Sequence, residues 1–284
     1  MDYQRNLPTP NISTNDVYYK RQLSFYSFNI HRLSDADSVF YTYPQEIAKK
    51  GSNEVCSFVQ DYVTHHLPQN IKHLNIFCDS CGGQNKNFTT FRYFHYLVHR
   101  SNRFESIRVT FPVRGHSYME CDKNMGLINT KTRVELPKDW VQVFKTARVK
   151  PSPFKIEEVE NHDVRDWSAF LNPLYVKKCP FQSRPIKELE IRKEHPRMLF
   201  YRETYNGMWI SSIITQTRRK QLRGPPLADN EFYYPPRAYL EKIPLTRDKY
   251  DNLQELKRFC DVSTFSYYEN LPKLPKTKKK NNKK

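Results

Sequence analysis

Glycine is scarce, with only 7 in the 284-residue chain. Few positions therefore have the backbone freedom that tight hairpins need, and the 19 prolines point instead to extended connections and edge segments. Six cysteines (Cys56, Cys78, Cys81, Cys121, Cys179 and Cys260) are too few for a dense disulfide framework at this length. Reduced thiols in the nucleus or cytosol are the expectation. No run of about 18 apolar residues occurs, and MDYQRNLPTP lacks the basic and apolar segments of a secretory signal, so no membrane partner is expected. Hydrophobic residues reach only 38%, yet aromatics make up 14% and each removes a large apolar area from water, which excludes a disordered composition.

Positive charge is abundant. Lys and Arg outnumber Asp and Glu by 47 to 30, a net charge of +17. Residues 1–134 carry +5 of this and residues 135–284 carry +12. Lys and Arg on phosphates release condensed counterions, so a polyanionic partner, nucleic acid first, is one reading of this balance, and a ribosome-like or merely soluble basic surface is the other.

Periodicity gives an order of elements. LSFYSFNI (23–30) and residues 39–43 read as paired strands. Ser52 is placed to cap a helix carrying Val55, Phe58, Val59, Tyr62 and Val63 and ending near Leu67. Leu74, Ile76 and Cys78 alternate along a strand that stops at Asp79. Residues 88–99 form an aromatic helix, Ile107 to Val113 alternate as a strand, and a helix is expected over about 123–133. With MDYQR as a first strand, the pattern predicts a mixed α/β fold, a mixed sheet covered by helices. Beyond Pro137 the reading is an irregular basic α+β extension: an extended PSPFKIEEVEN, a hairpin around Asn206 and Gly207, a basic loop QTRRKQLRGPPL, a helix over 246–259 and a lysine-rich disordered end. The expected domains are 1–134, 135–270 and a tail at 271–284, whose lysines suit nuclear import or an electrostatic arm.

Two polar clusters can carry chemistry. Asp79 ends a buried strand beside the turn Ser80-Cys81-Gly82-Gly83-Gln84-Asn85, where open sheets present ligands; turn formation alone also accounts for an Asp there. Gly115-His116-Ser117-Tyr118-Met119-Glu120-Cys121-Asp122 follows a strand and opens a helix, and Asp122 suits the first turn. Cys78, Cys81, Cys121 and His116 are zinc-ligand types, but strand alternation turns Cys78 and Cys81 apart and no second C-x-x-C exists.

MDYQRNLPTP, YYKRQLSFYSFNIH, KKGSNEVCS, FCDSCGGQNKN, VRGHSYMECD and, weakly, PLTRDKYDNLQEL together resemble an uncharacterised transposon-derived animal protein family with a ribonuclease H-like, DDE-type transposase or integrase core. The resemblance runs through about residue 134. It implies a ribonuclease H-like mixed sheet flanked by helices, with Asp2, Asp79 and Asp122 as catalytic metal ligands and Glu120 as substitute for the third. Such oxygen ligands suit Mg²⁺ or Mn²⁺, and two ions about 3.5–4 Å apart would serve phosphoryl transfer on DNA. Beside that site Gln84, Asn85 and His116 are candidate substrate-binding residues, with a hydrogen-bonded turn as the alternative, and Lys86, Arg92 and Arg114 are candidate phosphate contacts, with solvated charge as the alternative. Since one residue precedes Asp2, the first strand is expected to be cut short at its N-terminus. The rival expectation is therefore a non-enzymatic, domesticated nucleic-acid-binding protein that keeps the fold.

Overall fold

The computed structural model describes residues 1–113, 115, 118–216 and 234–275. Arg114, His116, most of the basic loop and the lysine-rich end from residue 276 lie outside the described residues. The fold is mixed α/β, with two mixed sheets in place of the single sheet expected. Two compact units alternate along the chain. One comprises Met1–Asp2, Lys50–Lys123 and Asn161–Leu240, and the other Tyr3–Lys49, Asn124–Glu160 and Glu241–Lys284. Both draw on residues from either side of position 135.

In the second of these units the sheet is built on strands β2 (Leu7–Thr9), β3 (Leu23–His31) and β4 (Ser38–Pro44), with Tyr3 from the two-residue strand β1 (Asp2–Tyr3), whose Asp2 belongs to the first unit. β3 and β4 pair antiparallel with Phe28 opposite Tyr41, as their aromatic runs predict. The extended segment anticipated near PSPFKIEEVEN becomes a strand at Lys155–Glu158, which adds parallel to β4. A helix at Pro137–Thr146, unforeseen in the sequence, lays Trp140, Val141 and Phe144 on Phe25, Phe40 and Phe154. Full burial of such aromatics contributes roughly 1.5–3 kcal/mol each. The helix expected over 246–259 forms at Arg247–Leu256 with a 3₁₀ turn at Lys257–Phe259, and packs Tyr250 and Leu253 against Leu23 and Tyr268.

The other unit contains helix α1 (Ser52–Asp61), strand β5 (His73–Phe77), helix α2 (Phe88–His99), strand β6 (Ser106–Thr110) and the start of helix α3 (Glu120–Gly126), whose residues from Asn124 on belong to the second unit. β5 and β6 are parallel with α2 as their crossover, the arrangement that two strands joined through a helix adopt. Three further strands, β7 (taken here as Glu188–Arg192), β8 (Met198–Arg202) and β9 (Ile210–Ile213), continue this sheet antiparallel in the order β9–β8–β7–β6–β5. β8 and β9 form the hairpin anticipated around Asn206 and Gly207. α2 buries Phe91, Phe94, Leu97 and Val98 completely.

Three boundaries differ from expectation. Gly51, not Ser52, caps α1: the Glu54 carboxylate accepts from the Gly51 amide at 2.9 Å, and the helix runs on through a π-helical turn at Tyr62–His66. The helix expected over 123–133 begins at Glu120 and ends at Gly126, because Asp122 accepts from the Met119 amide at 2.9 Å and fixes an earlier start. The strand expected to reach Val113 ends at Thr110, and Val113 is exposed.

Candidate functional site

The end of β5 leads into a turn held by several hydrogen bonds. The Cys81 carbonyl accepts from the amides of Gln84, Asn85 and Lys86 at 3.2, 3.0 and 3.0 Å. The Gln84 carbonyl accepts from Asn87 Nδ2 at 3.0 Å and Thr90 Oγ1 at 3.1 Å, while Asn87 Oδ1 accepts from the Thr90 amide and caps α2. Much of DSCGGQNKN is therefore explained by this strand-to-helix connection.

Asp79 is half-buried, and its Oδ1 accepts from Nδ2 of the fully buried Asn85 at 2.5 Å. Asn85 Oδ1 is buried with no hydrogen-bond partner among the described residues. Gln84 is half-buried, whereas Lys86 is buried and sends its ammonium to the Arg184 carbonyl at 2.9 Å, 4.9 Å from the centre of the Phe111 ring. Burial pushes the Lys86 pKa down, and the neighbouring Lys187 pushes it further.

Lys50 is the feature that sequence reasoning missed. Its ammonium interacts electrostatically with Asp2, Cys81 and Asp79, and burial, opposed by these neighbours, holds its pKa below the usual lysine value. Asp2 and Asp79 also both act on the buried thiol of Cys78, which burial pushes up. Two of the three carboxylates implied by the resemblance thus share one neighbourhood, with a lysine in it. The pair of lysines before Gly51 was visible in the sequence, but only the tertiary fold directs the second one to Asp79.

Asp122 is exposed, and one of its carboxylate oxygens holds the start of α3. Glu120 pairs with Lys123 at 2.5 Å. Among the described residues no three His, Cys, Asp or Glu side chains gather to hold a metal ion. As arranged, the carboxylates do not fit the three-ligand Mg²⁺ or Mn²⁺ centre that the resemblance implies, nor do the cysteines assemble a zinc site with other described residues. The six cysteines form no disulfide. No helix among the described residues is long and apolar enough to cross a membrane.

Comparison with known proteins finds no matching curated protein and no matching solved structure, but it does give a match to a family model. The match is to the model of a domain of unknown function, DUF7869, over residues 30–204. That range includes Lys50, Asp79, Glu120 and Asp122 and leaves Asp2 outside. Because it spans more than half of the chain, this protein belongs to the DUF7869 family.

Proposed function

We propose that this chain is a transposon-derived protein with a ribonuclease H-like core that binds nucleic acid, DNA first, and holds it without cutting it. The observation that carries this reading is Lys50: its ammonium interacts electrostatically with Asp2, Asp79 and Cys81, and the two carboxylates are ones that a cutting enzyme of the implied type would commit to a divalent cation. A fixed monovalent charge neutralises carboxylates, but it opens no coordination positions for water or phosphate oxygens. The use of Asp122 at the start of α3 supports the same reading. The β5–α2–β6 crossover is an element that a ribonuclease H-like core also contains. The net charge of +17 supplies the field for a polyanion, and the nucleus is the compartment that suits such a partner.

The test is DNA binding by the full chain across a salt series, with nicking assayed in Mg²⁺ or Mn²⁺. Binding with a steep negative salt slope and no nicking by the unmodified chain, Asp79→Ala or Asp122→Ala is the expected result. Nicking by the unmodified chain that both substitutions abolish would overturn it.

That outcome would favour a metal-dependent DDE-type nuclease or strand transferase. The position of Asp79 just beyond β5, with Asp2 in the same electrostatic neighbourhood, is what favours this second reading. In it Asp122 or Glu120 would leave its local partner to complete the ligand set, with Gln84 and Asn85 facing substrate.

A further inference from the structure

α2 carries two histidines one turn apart, His95 and His99, with ring centroids 4.2 Å apart. Both line a cavity of about 250 Å³ together with Arg100, Tyr175 and Thr215. Three polar atoms of its lining residues, His95 Nε2, His99 Nε2 and Thr215 Oγ1, are buried without a hydrogen-bond partner among the described residues. Buried polar atoms are ordinarily satisfied, so three at one cavity indicate an occupant.

The hydrogen bonding bears on what kind of occupant. His95 Nδ1 lies 3.0 Å from the Tyr175 hydroxyl, and either atom can be the donor. In the tautomer in which the phenol donates, the imidazole proton sits on Nε2 and leaves it as a donor. Thr215 adds a rotatable hydroxyl and Arg100 a guanidinium. The charged groups around the pair are Arg100 and Lys193, opposed by Glu194. Such a wall of donors with surplus positive charge selects an anion. The carbonyl end of α2 opposes one, but it amounts to roughly half a charge, against the full charge of Arg100.

We propose that this cavity binds a phosphate group, free or as a monoester, through His95, His99, Thr215 and Arg100. The inference does not depend on whether Asp79 belongs to a catalytic site. An anion there would stabilise both imidazolium forms, which burial first and then neighbouring cations now disfavour. Proton uptake and binding are therefore coupled, and affinity should rise as the pH falls below the ordinary histidine value of 6.5.

The full chain is titrated with inorganic phosphate and, separately, ribose 5-phosphate, with binding followed by calorimetry and the histidine pKa values by imidazole NMR. The expected result is saturable binding that raises the pKa of His95 and His99 and weakens about tenfold, or 1.4 kcal/mol, in Arg100→Gln. His99→Gln should weaken it as well and remove part of the pH dependence. Binding of both probes assigns a phosphate subsite, and binding of ribose 5-phosphate alone assigns a monoester. Three outcomes would overturn the proposal: equal binding by the unmodified chain and both variants, unchanged histidine titration on saturation with phosphate, or Zn²⁺ bound by the two histidines while phosphate is ignored.

Discussion

Glu46 is an acid almost without water. It is 1% exposed, its Oε1 accepts from the Tyr267 hydroxyl at 2.7 Å, and its Oε2 has no hydrogen-bond partner among the described residues. Burial raises its pKa above the ordinary 4.5, so the folded chain holds this proton more tightly than the unfolded one. Its contribution is fully present below pH 4.5 and is lost as pH rises through the higher folded value. Glu46→Gln should therefore stabilise the chain at neutral pH and have little effect below 4.5, measured by denaturant unfolding across pH. An equal effect at both ends would show that the charge is not the cause. Burial drives His95 the other way, down to about 3, so its contribution is present above 6.5 and is lost as pH falls toward 3. At Lys50, replacement by Ala removes the ammonium that faces Asp2 and Asp79. The variant should bind Mn²⁺ more tightly than the unmodified chain, and unchanged Mn²⁺ affinity by calorimetry would contradict the neutralising role given to Lys50.

Elements that announced themselves did so through unbroken periodicity. The α2 segment, FTTFRYFHYLVH, starts at Phe88 and ends at His99, where its aromatic repeat placed it. Its start depends on one side chain, so Asn87→Ala should cost about 1 kcal/mol in thermal or denaturant unfolding. The strand at Glu188–Arg192 was hidden by its own charges. Glu188 and Glu190 are both only 8% exposed, and their burial is made tolerable by Arg202 at Glu188 and by Arg108 and Arg192 at Glu190, bonded at 3.0 and 2.9 Å. Of these, the Arg108–Glu190 pair joins strands far apart in sequence and leaves no local signal. The Pro137–Thr146 helix did have one, a proline at its start and Trp140, Val141 and Phe144 at helical spacing. The proline-rich sequence after it obscured that pattern. For the candidate site, Asp79 at a strand end was legible, as was the placement of Asp122 in a first helical turn; the convergence of Lys50 on Asp79 was not, because no local periodicity encodes it.

Across the whole molecule, the alternation of segments between units makes a definite statement about dissection. A fragment of residues 1–134 keeps β6 but loses the strand at 188–192 that pairs with it, and keeps β4 without its parallel partner at 155–158. It should therefore show no cooperative thermal unfolding and poor NMR dispersion, whereas the full chain should show both cooperative unfolding and good dispersion. A folded 1–134 fragment would contradict the segment assignment. Charge also acts at this scale, since the +12 on residues 135–284 makes the later segments the larger contributors to any salt-dependent DNA affinity.

The polypeptide passes from one unit to the other after Asp2, Lys49, Lys123, Glu160 and Leu240. These crossings act like stitches in a seam. A protease that opens one of them leaves the remaining stitches to hold both units to the same molecule. Nicked protein would then stay together in solution and separate into pieces only on a denaturing gel.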